Sequence, residues 1–239
     1  MEEKLVDKIV LWLKDQLRIS RTKGFVLGLS GGLDSSVCAG LIKQATDDCL
    51  GLILPIESGV EDIDDAAAVA HLFNMRTQYI DLTSVYKNLI ALLPDNDQLA
   101  SGNLKARLRM TVIYYHANIN NYLVCGTGNK TELALGYFTK YGDGACDLLP
   151  LGDLYKFEVQ KIARVLGIPG RIIAKTPSAG LWPGQTDEDE IGFSYQDIDE
   201  TLRALKECRI EGDCAEKIQA MIARSEHKRK PPDICRLKE

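Results

Sequence analysis

Gly24-Phe25-Val26-Leu27-Gly28-Leu29-Ser30-Gly31-Gly32-Leu33-Asp34-Ser35-Ser36 decides how this chain is read. Gly24–Leu29 is a short apolar run ended by a Ser-Gly-Gly turn, which predicts a buried strand. Asp34 then opens a helix reaching about Ala45. A glycine turn between a strand end and a helix start gathers free backbone N–H groups, and the helix dipole points positive potential at them. Glycine also lets an anion approach the backbone closely. The turn therefore reads as an anion site.

The same alternation continues outward. Val6, Ile9, Val10, Leu13 and Leu17 recur at helical spacing in an opening helix. Downstream come a strand at Cys49–Leu54, a helix at Asp62–Asn74, a strand at Thr77–Ile80 and a helix from Ser84. A polar stretch, Pro94–Gln98, precedes a long helix over about Ala100–Asn118, a strand at Tyr122–Cys125 and a helix from Asn129. Strands separated by helices of this length predict an α/β fold: a doubly wound, mostly parallel sheet with helices on both faces. Ligands in such sheets bind at strand carboxyl ends where chain order reverses. From Phe138 the character changes to a Gly- and Asp-rich loop at Tyr141–Pro150 and a helix at Asp153–Leu166. A Pro/Gly/acidic stretch at Thr176–Ile191 has the length of a mobile lid, and helices at about Tyr195–Glu207 and Cys214–Ser225 lead into a basic tail. The chain is read as one unit over 1–239, a nucleotide-binding core over 1–150 and a helical extension over 151–239.

Composition sets limits. The 239 residues carry a net charge of -5, which disfavours a polyanion coat, so no nucleic-acid partner is expected. No apolar run has the length of a membrane span, and acidic residues within Met1–Leu17 exclude a signal peptide. The seven cysteines include no C-x-x-C pair, which points to reduced thiols and a cytoplasmic protein rather than a disulfide or zinc scaffold.

Several motifs compete for the glycine turn. No Lys follows the glycines, so it is not a Walker A loop, and Ser30 stands at the second glycine of a dinucleotide fingerprint. Gly28-Leu29-Ser30-Gly31-Gly32 does fit the G-x-S-x-G elbow of serine hydrolases. Only 29 residues precede Ser30, however, and His227, the one late histidine, sits among lysines and arginines. A turn that uses glycine for geometry alone is the bland alternative, but it leaves Asp34 unexplained. A carboxylate one turn past a phosphate nest suits a helix start and also magnesium.

Ser30-Gly31-Gly32-Leu33-Asp34-Ser35-Ser36 resembles the pyrophosphate-binding loop of the N-type ATP pyrophosphatases, which activate a carboxylate or carbonyl oxygen with AMP. Further blocks are similar to the NAD synthetase family in particular. They are Asn103–Met110, Gly126–Glu132, Gly136–Gly144, Asp147–Pro150 with Lys156, Pro177–Trp182 with Gln185–Glu188, and His227-Lys228. At 128–130 the chain departs, with Gly128-Asn129-Lys130 where many relatives carry Asp-His-Ala. Ser178 stands where many have Thr, keeping the hydroxyl.

The resemblance implies an adenine nucleotide alpha-hydrolase-like fold and ATP-dependent amidation of deamido-NAD to NAD. It implies ammonia as nitrogen donor, since only one helix precedes the first strand. ATP would lie on Gly28, Leu29, Ser30, Gly31, Gly32, Leu33, Asp34 and Ser35, with Thr127, Lys156 and Ser178 as further contacts. Asp34 and Glu132 would hold Mg2+, and Asp34 and Lys156 would serve catalysis. Arg107, Lys140, Asp147, His227 and Lys228 carry over as deamido-NAD contacts, and the family implies a homodimer. Read without the family, Glu132 and Lys156 are ordinary solvated helix residues. With Leu104, Leu108, Val112 and Tyr115 as the buried stripe, Lys105 flanks it as closely as Arg107. The acidic run Thr186–Glu190 reads as lid surface. Another pyrophosphatase-loop enzyme, of the tRNA thiolation type, is the alternative.

Overall fold

The computed structural model describes residues 2–94, 97–182, 184–207 and 213–237. Helix α1 (Glu2–Ser20) leads into β1 (Gly24–Gly28), α2 (Leu33–Ala45), β2 (Cys49–Ile53), α3 (Val60–Leu72) and β3 (Arg76–Tyr79). Then follow α4 (Thr83–Ile90), α5 (Gln98–Asn120), β4 (Tyr122–Val124) and α6 (Lys130–Leu135). The remainder is helical: α7 (Lys156–Val165), α8 (Gly170–Ile173), α9 (Asp187–Ile191), α10 (Tyr195–Lys206), α11 (Asp213–Arg224) and α12 (Glu226–Arg229).

The strands form one parallel sheet in the order β3-β2-β1-β4. Alternation along β1 explains its continuous apolar run. Phe25 and Leu27 point into a core built with α1, α2, α3 and α7, whereas Val26 points into the opposite core with α4 and α5. Both faces are covered, so Gly24, Phe25, Val26 and Leu27 are buried, and only Gly28 at the carboxyl end is partly exposed. Strand β3 is the exception, since Arg76, Thr77, Gln78 and Tyr79 are all exposed on an edge. A polar, short edge strand resists pairing with other chains. A third cluster lies apart from the sheet, where Leu135, Tyr155, Ile191, Ile198, Leu202 and Ile218 join α6, α9, α10 and α11. Helix α7 belongs to the sheet core through Val159, Ile162 and Ala163, so it links the two.

Four expectations need correction. Tyr115 is 64% exposed. The row Leu104, Leu108, Val112 continues at i+4 to His116, which is buried, so a search confined to apolar residues overshoots to Tyr115. Lys105 is not a rim residue. It is buried, with Nζ donating to Glu57 Oε2 at 3.0 Å and to the Leu181 carbonyl at 3.1 Å. Helix α7 starts at Lys156 rather than Asp153, because Glu158 reaches back to the Tyr155 N–H at 2.8 Å and fixes the start there. Asp153 instead pairs with Lys130 at 2.6 Å. The acidic run is not loose surface either. Thr186 caps α9 by accepting from Asp189 N–H at 3.2 Å, and Asp187 is buried. Pro183, within the expected lid, and Cys208 lie outside the described residues.

An ion-pair brace stands behind the glycine turn. Asp65 on α3 accepts from Arg171 Nε at 2.7 Å and Lys175 Nζ at 2.9 Å, and Lys175 also pairs with Asp62 at 2.7 Å. Burial alone would raise the Asp65 carboxyl, but the bonds from Lys175 and Arg171 outweigh it and hold it below the usual range. A carboxyl lowered in the folded state stabilises above its unfolded pKa, and that stabilisation disappears as pH falls through the lowered value. Asp65→Asn is therefore expected to cost about 1–2 kcal/mol in urea unfolding at pH 7. The gap to wild type should close as the same measurement is carried into acid. A gap independent of pH would mean that charge is not what Asp65 contributes.

Candidate active site

The chain builds β1, β2 and β3 outward in one direction and then returns to lay β4 on the other side of β1. Chain order thus reverses between β1 and β4, and the crevice outside their carboxyl ends is where a ligand is expected. Two turns meet there, Gly28–Ser35 after β1 and Thr127–Glu132 after β4.

In the first turn, Leu29 N–H still donates to the Leu52 carbonyl at 2.8 Å, and its side chain is buried, so it offers only backbone. Gly31 turns the chain with φ +78°, and a Cβ there would stand 2.3 Å from the Asp62 carbonyl oxygen, so glycine is required on both counts. Ser30 and Ser35 hydroxyls lie 3.0 Å apart, Ser35 Oγ donates to the Gly32 carbonyl at 3.0 Å, and Gly32 N–H donates to Ser30 Oγ at 3.2 Å. No side chain caps α2 at Gly32, and Leu33, like Leu29, buries its side chain. The start of a 13-residue helix is thus presented to the crevice, as anion binding requires. Ser30 Oγ bonds to Ser35 and Gly32, an arrangement with no base for a hydrolase nucleophile among its bonded partners.

The second turn supplies the opposing charge. Asn129 caps α6, accepting from Glu132 N–H at 3.0 Å, while Glu132 Oε2 accepts from Asn129 N–H at 3.1 Å. Asp34 Oδ1 accepts from Asn129 Nδ2 at 3.0 Å. Lys156 extends from the start of α7 so that Nζ contacts Asp34 Oδ2 and lies 3.4 Å from Glu132 Oε1. Its side chain is only 6% exposed, against 15% and 17% for the carboxylates, so this charge cluster is shielded from water. Burial alone would lower the Lys156 ammonium, but Asp34 and Glu132 outweigh it and hold it above the ordinary lysine range. Glu132 is pushed the other way for a carboxyl: burial, then the negative charge of Asp34, raises it. The Tyr195 ring lies 4.9 Å from Lys156 Nζ, and Tyr195 and Tyr137 hydroxyls donate to Asp187 at 2.9 and 3.1 Å.

The residues suit magnesium. Asp34 and Glu132 offer hard oxygens and already share one cation, the Lys156 ammonium. No group of three or more His, Cys, Asp or Glu able to hold a metal occurs among the described residues. Two carboxylates with phosphate oxygens completing the shell is the pattern magnesium takes.

The other expected residues fall into two groups. Thr127 is half-buried beside the crevice, and exposed Ser178 accepts from Gly180 N–H at 3.1 Å. Arg107, Lys140, His227 and Lys228 converge around the loop after α6. Arg107 donates to the Lys140 carbonyl at 3.3 Å, Lys140 Nζ to the His227 carbonyl at 2.6 Å, and Lys228 Nζ to the Gly136 and Phe138 carbonyls at 2.8 Å. The basic tail therefore docks on the end of α6 instead of being a solvated run. Asp147, in the segment after α6, accepts from Val124 N–H at 2.7 Å and from the hydroxyl of Tyr114, two turns along α5 from Arg107, at 3.2 Å. Sequence reasoning passed over Asn129, Asp187, Tyr195 and Lys105. Asn129, Asp187 and Lys105 lay inside the family-like blocks, and Asn129 carried a further signal, an Asn followed three residues later by Glu, the spacing of a capping box.

Lys156→Gln would leave the carboxylates facing each other without their cation. The Glu132 carboxyl is then expected to titrate higher still, by about 1–2 pH units, as read by carboxyl carbon NMR. An unmoved midpoint would show that the ammonium does not govern it.

Comparison with known proteins narrows what this crevice serves. The model of the NAD synthase family matches residues 5–232. The chain is 45% identical to an NH(3)-dependent NAD(+) synthetase of Carboxydothermus hydrogenoformans, with 97% of each chain covered. Its fold is similar to that of an NMN synthetase from Francisella tularensis, with TM-score 0.93, 39% identity and 98% of each chain covered. It is also similar to an NH3-dependent NAD synthetase from Campylobacter jejuni, solved with nitrate, with TM-score 0.87, 30% identity and 99% of each chain covered. A match running nearly end to end takes in the glycine turn, the capped Asn129–Glu132 turn and the lysine that joins them, and on it the chain belongs to the NAD synthase family.

Proposed function

We propose that this chain is an ammonia-dependent NAD synthetase, amidating deamido-NAD with ATP. The observation that carries this reading is the meeting of Asp34, Glu132 and Lys156 beside the Gly28–Ser35 turn, in a chain of this family. A carboxylate oxygen of the pyridine acid attacks the α-phosphorus of ATP, and the bond to the β-phosphate oxygen breaks, releasing pyrophosphate. Ammonia then attacks the acyl carbon, the bond to AMP breaks, and the nitrogen sheds its proton as the amide forms.

The chain's part is binding, positioning and electrostatics. The free backbone N–H groups of the Gly28–Ser35 turn, at the uncapped start of α2, and the Ser30 and Ser35 hydroxyls bind phosphate oxygens, with Thr127, Ser178 and Lys156 as further ATP contacts. Magnesium held by Asp34 and Glu132, when bound, shields the phosphates and steadies the leaving pyrophosphate. Arg107, Lys140, Asp147, His227 and Lys228 hold the dinucleotide, the cations suiting its diphosphate or carboxylate. The 176–191 segment, tethered by Lys105 at Leu181, is read as the lid that keeps water from the acyl adenylate. We read 1–239 as one synthetase domain, with the α/β core over 1–150 and the helical extension over 151–239. Exposed Tyr115 and Ile119, one turn apart on α5, support a homodimer. Free cysteines, with Cys38, Cys49 and Cys125 buried, support a reducing cytoplasmic setting, and no described helix is long and apolar enough to cross a membrane.

The likeness to an NMN synthetase favours a second reading, amidation of the mononucleotide acid by the same chemistry. Isotope-labelled ammonium, ATP and magnesium with equal deamido-NAD and nicotinic acid mononucleotide decide between them by mass. Labelled NAD as the main product supports the first reading, labelled NMN the second, and label in neither overturns both. Turnover with glutamine alone would overturn ammonia as donor. Asp34→Ala is expected to lower kcat by about 10²–10³-fold with the fold intact by circular dichroism. Near-normal turnover would refute its metal role. Arg107→Ala should raise the Kd for deamido-NAD about tenfold in calorimetry while leaving ATP binding within about twofold.

A further inference from the structure

Asn129 is 0% exposed and touches both carboxylates of the crevice. The way it divides their oxygens is the informative point. Its side-chain oxygen is fixed as an acceptor by Glu132 N–H at 3.0 Å, which turns its amide nitrogen toward Asp34 Oδ1, also at 3.0 Å. Its backbone N–H takes Glu132 Oε2 at 3.1 Å. Each carboxylate thus has one oxygen committed to Asn129. The other two, Asp34 Oδ2 and Glu132 Oε1, are the ones that face Lys156.

The neighbourhood holds Asn129 itself in place. Lys130 N–H donates to the Leu154 carbonyl at 2.8 Å, and Gly126 N–H donates to the Leu148 carbonyl at 2.9 Å, so the segment is pinned at both ends. Two like charges in a shielded crevice repel, and without a rigid donor between them either could rotate to solvent. A neutral amide can face an anion with its nitrogen while its oxygen caps the next helix, a pairing that a carboxylate or an apolar side chain cannot make.

We propose that Asn129 is a positioning residue for the metal: it orients Asp34 and Glu132 so that one oxygen of each converges on the divalent cation that accompanies ATP. The proposal rests on the synthetase reading above. Its contacts are with Asp34 and Glu132, and it acts through these two carboxylates.

The test separates positioning from mere capping. Asn129→Ser keeps a helix-capping side chain that is too short to reach Asp34, and Asn129→Thr serves as a second cap-forming variant. Calorimetry measures the ATP Kd of wild type and both variants in EDTA and in saturating MgCl2. Wild type is expected to bind ATP more tightly with magnesium. In the variants that gain should shrink about 10- to 100-fold, while the Kd in EDTA stays within about twofold of wild type and the melting temperature stays close. An undiminished magnesium gain in the variants overturns the proposal and leaves the synthetase reading standing. An equal loss in EDTA and in magnesium, or a collapse of the melt in both variants, overturns it as well, since the role would then be structural. No magnesium gain in wild type would overturn the metal reading and this proposal together.

Discussion

Two carboxylates cannot share a shielded crevice unless something positive stands between them, and in this chain that is the ammonium of Lys156. Its contacts with Asp34 and Glu132 tie together three elements far apart in sequence: the start of α2, the start of α6 and the start of α7. Removing Lys156 would leave two shielded carboxylates without their cation, which costs more than the pairs contribute. The cluster is therefore a device for poise rather than for stability. It keeps two anions together, partly screened from water, at the place where a nucleotide would bring more negative charge and a cation to match it.

The fold is arranged to hold that poise. Parallel order β3-β2-β1-β4 places both turns at one crevice, and the left-handed Gly31 presses the first turn onto α3. The Asp65–Arg171–Lys175 brace ties α3, the turn's backing, to the segment that leads into residues 176–191. Since β1 is buried on both faces, the turn it carries has little freedom to move.

The C-terminal helices do comparable work from the other side. Asp199 on α10 accepts from the Thr131 hydroxyl and from Phe157 N–H, and Thr131 Oγ1 accepts from Lys156 N–H. One buried carboxylate thus sets α6 against α7, and so sets Glu132 against Lys156. Asp187, held by Tyr137 and Tyr195, closes the same wall. These C-terminal contacts buttress the crevice.

Local chemistry was enough to reveal a good deal from the sequence alone. The apolar run Gly24–Leu29, the Ser-Gly-Gly bend and the alternation of strands and helices follow from periodicity and backbone sterics, which act over a few residues. The motif blocks likewise fixed the family and marked Asp34, Glu132 and Lys156. What the sequence could not disclose depends on contacts between distant residues. Lys105 reads as a rim residue because its partners, Glu57 and the Leu181 carbonyl, lie 48 and 76 positions away. Asp187 reads as surface because the tyrosines that satisfy it come from two other elements. Asn129 reads as a helix cap, which it is, but its hold on Asp34 spans 95 positions and exists only once β1 and β4 lie side by side. Sequence determined which groups could carry charge; only the tertiary structure decided which charges face one another, because burial and pairing are properties of the packed chain.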